Sequence, residues 1–255
     1  MRYFIHLAFD GTRYHGWQQQ TNAVTVQETV TDCLGKLLRK EIQVTGCGRT
    51  DTGVHAKQFY LHFDVDDGKP FPYDFRQFLY KCNAILPQDI AFFDIFEVKK
   101  DAHARFDAVA RTYQYFIHTA KDPFKRHYSH YLPFRPDLDR MNEAASILLE
   151  YNDFTSFSKT GSQTKTNLCK LTEARWETAG DTLVFTITAD RFLRNMVRAV
   201  TGTLLEVGSG KIAPEAVRDI IAAKDRRRAG TSVPGNALFL TKVRYPAELF
   251  KNFGE

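Results

Sequence analysis

The feature that most constrains this chain is the order in which its hydrophobic pattern switches between a period of two and a period near 3.6. Tyr3 to Phe9 alternate loosely, as a strand does. Thr25 and Glu28 then form a capping box, and Val26, Val30, Leu34, Leu37 and Leu38 follow at helical spacing. A short strand is expected at Ile42 to Thr45. A longer one is expected at Gln58 to Val65, where Phe59, Leu61, Phe63 and Val65 share one face. A helix from about Tyr73 to Cys82 and a strand from Ile90 to Val98 complete the order βαββαβ.

The second half repeats that order without visible repetition of sequence. It reads as a strand at Arg111 to His118, a helix from about Asp137 to Glu150, and strands at Leu171 to Glu177 and Leu183 to Ala189. A helix from about Phe192 to Val207 follows, with Met196, Val197, Val200 and Leu204 on its apolar stripe. A shorter helix after Pro214 and a strand at Ala237 to Val243 close the pattern. The expected fold class is therefore α+β, built from two tandem ferredoxin-like units with antiparallel sheets. The expected division is 1–105 and 106–255, with the junction in the polar stretch Lys99 to Asp107.

At 255 residues the chain can bury a sizeable core, and 43% hydrophobic content excludes disorder. The net charge of +5 and the pI of 8.9 only hint at an acidic partner. The 21 Phe, 11 Tyr and 2 Trp would suit base stacking, although most Phe belong in a core. Cys33, Cys47, Cys82 and Cys169 form no Cys-x-x-Cys pair and read as free thiols of a reducing compartment. The first ten residues lack the apolar region of a signal peptide, and no run of about 18 apolar residues occurs. A cytoplasmic protein is the expectation.

The densest chemical signal is Gly46-Cys47-Gly48-Arg49-Thr50-Asp51-Thr52-Gly53-Val54-His55-Ala56, with three glycines, a cation and a carboxylate on one loop. Its glycine spacing fits neither a dinucleotide fingerprint nor a P-loop. Alone, it reads as a hairpin whose glycines supply positive φ and whose Asp51 bonds backbone amides. A carboxylate in a partly closed site needs a cation partner to stay ionised. Arg49 on the same loop is one candidate. Arg191, Arg194 and Arg198, at steps of three and four, line one face of the expected Phe192 to Val207 helix and supply others. A solvated basic face or phosphate contacts explain Arg191 and Arg194 equally well. Tyr113 and Tyr115 share one side of a strand with Arg111 and Ile117, and Asp153-Phe154-Thr155-Ser156-Phe157 reads as a capped turn with two core aromatics. His55, His62 and His103 are scattered and read as satisfied or surface histidines rather than metal ligands.

Taken together, these residues resemble the TruA-type tRNA pseudouridine synthases over nearly the whole chain. Gly48 to Ala56 is similar to that family's catalytic loop. Asp10-Gly11 through Tyr14, Gly16-Trp17-Gln18 and Thr25-Val26-Gln27 are similar to its N-terminal signature. His103-Ala104-Arg105-Phe106, Arg111-x-Tyr113-x-Tyr115, Asp153-Phe154-x-x-Phe157 and Phe192 with Met196-Val197-Arg198 and Gly202 resemble its remaining blocks. The resemblance implies that Asp51 is the catalytic aspartate and Arg198 its basic partner. It implies that Tyr113 stacks on the base and handles a proton, that Arg49 helps hold a flipped-out nucleotide, and that Leu238 forms an apolar wall beneath the uracil. Two departures are Thr52, where the family usually has Ala, and Val233-Pro234-Gly235-Asn236-Ala237, where it commonly has Ala-Pro-x-x-Gly.

The implied activity is isomerisation of uridine to pseudouridine at positions 38, 39 and/or 40 of the tRNA anticodon stem-loop, without metal or other cofactor. The implied architecture has the two sheets forming a continuous curved surface with a basic cleft, in a homodimer. Basic clusters at Lys36 to Lys40, Lys121 to Arg126 and Lys224 to Arg228 could track tRNA phosphates. Neither a membrane nor DNA is expected as partner. The competing readings are the same chemistry on other RNA positions and a non-catalytic RNA-binding module. The absence of an RNP1-like context around Tyr113 and Tyr115 weakens the second.

Overall fold

A computed structural model describes residues 1–65, 71–161 and 164–249 of the chain. It is α+β, with mixed strand pairing, no closed sheet and five α-helices among the described residues. The chain divides into two compact units. Met1–Val109 and Leu240–Glu255 form unit 1, and Ala110–Phe239 forms unit 2.

Unit 1 contains β1 (Arg2–Phe9), α1 (Val26–Leu38), β2 (Thr45–Gly46), β3 (His55–Asp64), α2 (Phe75–Ile85) and β4 (Ile90–Val98). β1 is central and antiparallel to both β3 and β4, with Ile5 opposite Leu61 on one side and Ile95 on the other. Ile5, Leu7, Phe59, Leu61 and Phe63 are fully buried, as are Val30 and Leu34 of α1 and Phe78 and Cys82 of α2. Period-two and period-3.6 patterns thus meet in one core. The capping box is present, with the Glu28 amide donating to Thr25 Oγ1 at 3.3 Å. α2 starts where the Asp74 carboxylate accepts the Arg76 and Gln77 amides. It stops because Pro87 forces Leu86 into an extended conformation.

Two expectations in this unit are corrected. The strand expected at Ile42 to Thr45 is only Thr45–Gly46, although Ile42 and Val44 are buried as a strand's inward residues would be. The Val44 carbonyl accepts from the side-chain amide of Gln27 at 2.8 Å. β3, in turn, begins at His55, three residues before the expected start.

Unit 2 contains β5 (Ala110–His118), β6 (His130–Tyr131), α3 (Leu138–Leu148), β7 (Leu171–Ala179), β8 (Thr182–Ala189), α4 (Met196–Gly208) and α5 (Ala216–Ala222). The last strand, β9 (Leu238–Arg244), has its first two residues here and the rest in unit 1. β8 is antiparallel to β5 and β7, and the two-residue β6 is parallel to β5. Tyr115, Ile117, Phe185 and Ile187 are fully buried beside Ala144, Leu148, Val200 and Val207 from the helices. Trp176 stacks on Phe185 across the β7–β8 pair, with ring centroids 4.9 Å apart. Asp153 to Phe157 is the capped turn expected from its sequence. Thr155 donates its amide and hydroxyl to the Asp153 carboxylate, and Phe154 and Phe157 are in the core.

α4 begins at Met196, four residues after the expected start. Asn195 stands before it in the left-handed conformation, at φ 66, so Phe192 to Arg194 cannot be its first turn. Arg191 and Arg194 therefore do not lie on a helix face, and the expected arginine stripe reduces to Arg198.

Burial makes His62 a structural acceptor. It is 6% exposed, its Nδ1 accepts the Ala104 amide at 3.1 Å, and burial together with nearby Arg2 and His103 pulls its pKa down to about 4. Asp64 and Asp107 oppose that shift and do not overcome it. The unfolded chain, with an ordinary histidine near 6.5, takes up a proton first. This contribution is therefore intact above about pH 6.5 and is lost progressively as pH falls toward about 4. Urea unfolding at a series of pH values should show wild-type stability declining across that window. His62→Gln, which keeps an acceptor but cannot titrate, should decline less steeply. Parallel declines would contradict the assignment.

Candidate functional site

The Asp51 loop is held in place by its neighbours' backbones. The first two amides of α1 need partners outside the helix, and those of Val26 and Gln27 donate to the carbonyls of Gly16 (3.2 Å) and Trp17 (3.0 Å). The Trp17 amide in turn donates to the Thr50 carbonyl at 3.3 Å, and the Gly53 amide donates to the Tyr14 carbonyl at 3.2 Å. The Gly11 amide donates to His55 Nδ1 at 3.0 Å. A turn closed by the Val54 amide on the Asp51 carbonyl, at 3.2 Å, completes the loop. Segment 11–17 thus grips the loop on both sides of Asp51.

Such contact requires glycine. A Cβ on Gly11 would lie 2.0 Å from the Val54 carbonyl oxygen, and one on Gly16 would lie 2.3 Å from that of Thr50, where φ is already +88°. Of the loop's own glycines, one does the work expected and another does different work. Only Gly53 has positive φ, at 75°, whereas Gly46 makes room for the indole of Trp17, 2.5 Å from where its Cβ would be. Trp17 is 1% exposed and packs on Phe59 at 4.2 Å between ring centroids.

Thr50, Val54, His55 and Ala56 are buried, Asp51 is half-buried, and Arg49 and Thr52 are exposed. Thr52, the departure from the family pattern, therefore meets solvent. Arg49 does not swing freely, because its Nε donates to Gln18 Oε1 at 3.0 Å. Gln18 Nε2 donates to Gln27 Oε1 at 2.8 Å, and Gln27 anchors on the Val44 carbonyl. The sequence carried Gln18 and Gln27 only as parts of motifs. Their hydrogen bonds give those motifs a physical purpose, the seating of Arg49.

Tyr113, Arg198 and Leu238 belong to unit 2. Tyr113 is half-buried on β5, with the ring of Phe192 edge-on at 5.2 Å. Arg198 lies in the first turn of α4. Its Nε donates to the Val233 carbonyl at 2.7 Å, while its own carbonyl accepts the Val233 amide at 3.2 Å. The next carbonyl, that of Pro234, accepts Tyr115 Oη at 3.0 Å, and burial pushes that phenol's pKa up. Gly202 permits the approach, since a Cβ there would lie 1.8 Å from the Thr231 carbonyl oxygen. Leu238, 5% exposed, follows this segment directly. The other departure, residues 233–237, thus holds Arg198 and Tyr115 through backbone carbonyls, which a residue of any type supplies.

Several of the remaining candidate cations have structural partners. In the cluster 224–228, Lys224 pairs with Asp153, Arg227 pairs with Asp225, and Arg226 donates to the Ala229 carbonyl and Ser232 Oγ. The four cysteines are free and buried. No group of three or more His, Cys, Asp or Glu among the described residues could hold a metal ion, and no helix among them is long and apolar enough to cross a membrane.

Comparison with known proteins extends these local matches to the whole chain. A family model described as tRNA pseudouridine synthase matches residues 144–246. A protein named tRNA pseudouridine synthase A from Bacteroides fragilis is 53% identical over 251 residues, covering 98% of each chain. Its namesake from Bacteroides thetaiotaomicron is 53% identical over 252 residues, covering 98% of this chain and 92% of that one. One from Clostridium acetobutylicum is 43% identical over 243 residues, 94% of this chain and 98% of that one.

If segment 11–17 fixes the loop, Gly16→Ala should lower the unfolding free energy by roughly 1–3 kcal/mol. It should also speed hydrogen exchange of the Gly53 and Val54 amides while leaving the amides of β8 protected, as read by exchange mass spectrometry. Unchanged exchange at Gly53 and Val54 would refute the grip.

Proposed function

The chain belongs to the tRNA pseudouridine synthase A family, isomerases acting on RNA, and from that premise we propose that it converts uridine to pseudouridine at positions 38, 39 and/or 40 of the tRNA anticodon stem-loop. The observation that carries the reading is the backbone grip on the half-buried Asp51, because a nucleophile must be positioned before it can act. In this reading residues 1–105 supply the aspartate loop and residues 106–255 supply Tyr113 and Arg198. Both parts are read as ferredoxin-like units, which the neighbours β4-β1-β3-β2 in unit 1 and β5-β8-β7 in unit 2 support. The enzyme is read as a cytoplasmic homodimer.

The reaction breaks the bond from C1′ to N1, turns the uracil and joins C1′ to C5. The proton lost from C5 is matched by one gained at N1, so the step is redox-neutral. Asp51 is the nucleophile, attacking C1′ or adding to the ring, or it assists formation of a glycal. Arg198 supplies the positive charge that pairs with this carboxylate. Tyr113 lies against the base and carries the C5 proton or contacts its carrier. Leu238 forms the apolar wall beneath the uracil. A uridine within a stem must leave the stack, at a cost of a few kcal/mol, and Arg49 holds the space it vacates.

Mapping of pseudouridine in unmodified tRNA, by chemical derivatisation and primer extension, tests this directly. Wild-type protein should give signal in the anticodon stem-loop and Asp51→Asn none. Signal elsewhere would replace the positions, and no signal from a folded, tRNA-binding wild type would leave a binding module. Arg198→Ala should remain folded and be nearly inactive in single-turnover assays. Near-normal rates would remove Arg198 from the mechanism.

A further inference from the structure

The loop between β5 and β6 displays the most exposed large apolar residue among those described, Phe124, at 91%. A side chain so exposed contributes almost nothing to the core, so folding does not explain an aromatic there. Single exposed apolar residues are ordinary on protein surfaces; the setting of this one is not. Lys121, Arg126 and His127 are exposed within three positions of it along the chain, with Arg126 Nε donating to His127 Nε2 at 2.9 Å.

The loop is also well fixed. The Phe124 amide donates to Asp122 Oδ1 at 2.8 Å, and the Tyr128 and Ser129 amides both donate to the Lys125 carbonyl. Ser129 Oγ is hydrogen-bonded to the buried His118 at 2.9 Å, and Lys125 is paired with Asp181 of the β7–β8 turn. Asn236 Nδ2 donates to the Arg126 carbonyl at 2.8 Å, which ties the loop to the segment leading into Leu238. The ordering entropy of this aromatic's backbone is therefore already spent in the free protein.

We propose that Phe124 is a stacking platform for an unpaired nucleobase of the RNA substrate, with Lys121 and Arg126 beside it for the adjoining phosphates. The proposal rests on the RNA-directed reading above and adds a contact site to it. An aromatic face accepts any base, and flanking cations confine the ligand to a polyanion. A base already stacked in a helix has no free face to offer, so the occupant is a loop nucleotide rather than a stem nucleotide.

Binding of unmodified tRNA, followed by filter retention or fluorescence anisotropy, separates stacking from simple apolar contact. Phe124→Ala should weaken binding by roughly five- to 150-fold. Phe124→Trp should restore it and Phe124→Leu should not, with all three variants unfolding at the wild-type temperature. Binding by Phe124→Ala within twofold of wild type would overturn the proposal, as would full rescue by Leu. Sedimentation of the same variants addresses the competing occupant, since loss of a dimer in Phe124→Ala would assign the residue to a second copy of this chain instead. Failure of wild-type protein to bind tRNA at all would instead refute the RNA-directed reading itself.

Discussion

Everything around Asp51 depends on two backbones meeting where side chains would ordinarily stand. The 11–17 segment lies so close to the loop that Gly11 and Gly16 leave no room for a methyl group. That closeness lets amide-to-carbonyl bonds do the positioning. Backbone groups have fewer rotatable bonds between them and the rest of the fold than side chains have, so they transmit position with less slack. The position comes from α1, whose capped first turn fixes Gly16 and Trp17, which in turn fix Thr50. Arg49 is reached by a side-chain route from the same helix, through Gln27 and Gln18.

Unit 2 solves a related problem with the same means. A glycine on α4 admits the 231–234 segment, and two successive carbonyls of that segment receive Arg198 and Tyr115. The Val233 carbonyl thereby takes part in orienting the cation. This explains how residues 233–237 can depart from the family pattern while the seat of Arg198 survives. In both units a glycine whose role is space, not flexibility, is what the functional side chain depends on.

How much of this was legible beforehand follows from the range over which each determinant acts. α1 could be read because its cap and apolar stripe are local, and β4 has the expected ends because Ile90 to Val98 is flanked by Pro87 and by a polar stretch. The start of α4 is not legible, because Asn195 looks neutral inside an apolar stripe and only its left-handed conformation breaks the helix. The shortness of β2 is not legible, because Val44's carbonyl is taken by Gln27, seventeen positions away and invisible to periodicity. The loop stands out by composition, and of its glycines Gly53 has the positive φ that composition suggests, whereas Gly46 serves the indole of Trp17. Gly11, Gly16, Gln18 and Gln27 carried a family signature with no local reason. For Gly11, Gly16 and Gln18 the reasons are contacts 30 or more positions along the chain, and for Gln27 they are Gln18 and the Val44 carbonyl, nine and seventeen positions away.

The central claim is that the fold delivers the Asp51 carboxylate to one position, and Asp51→Glu tests it by keeping the charge and moving the group by one methylene. The measurement is the single-turnover rate of pseudouridine formation in unmodified tRNA, alongside tRNA affinity and unfolding free energy. Positional control predicts a rate lower by about a hundredfold or more with the other two unchanged. A rate within a few-fold of wild type would show that the carboxylate's placement does not matter, and would contradict the account.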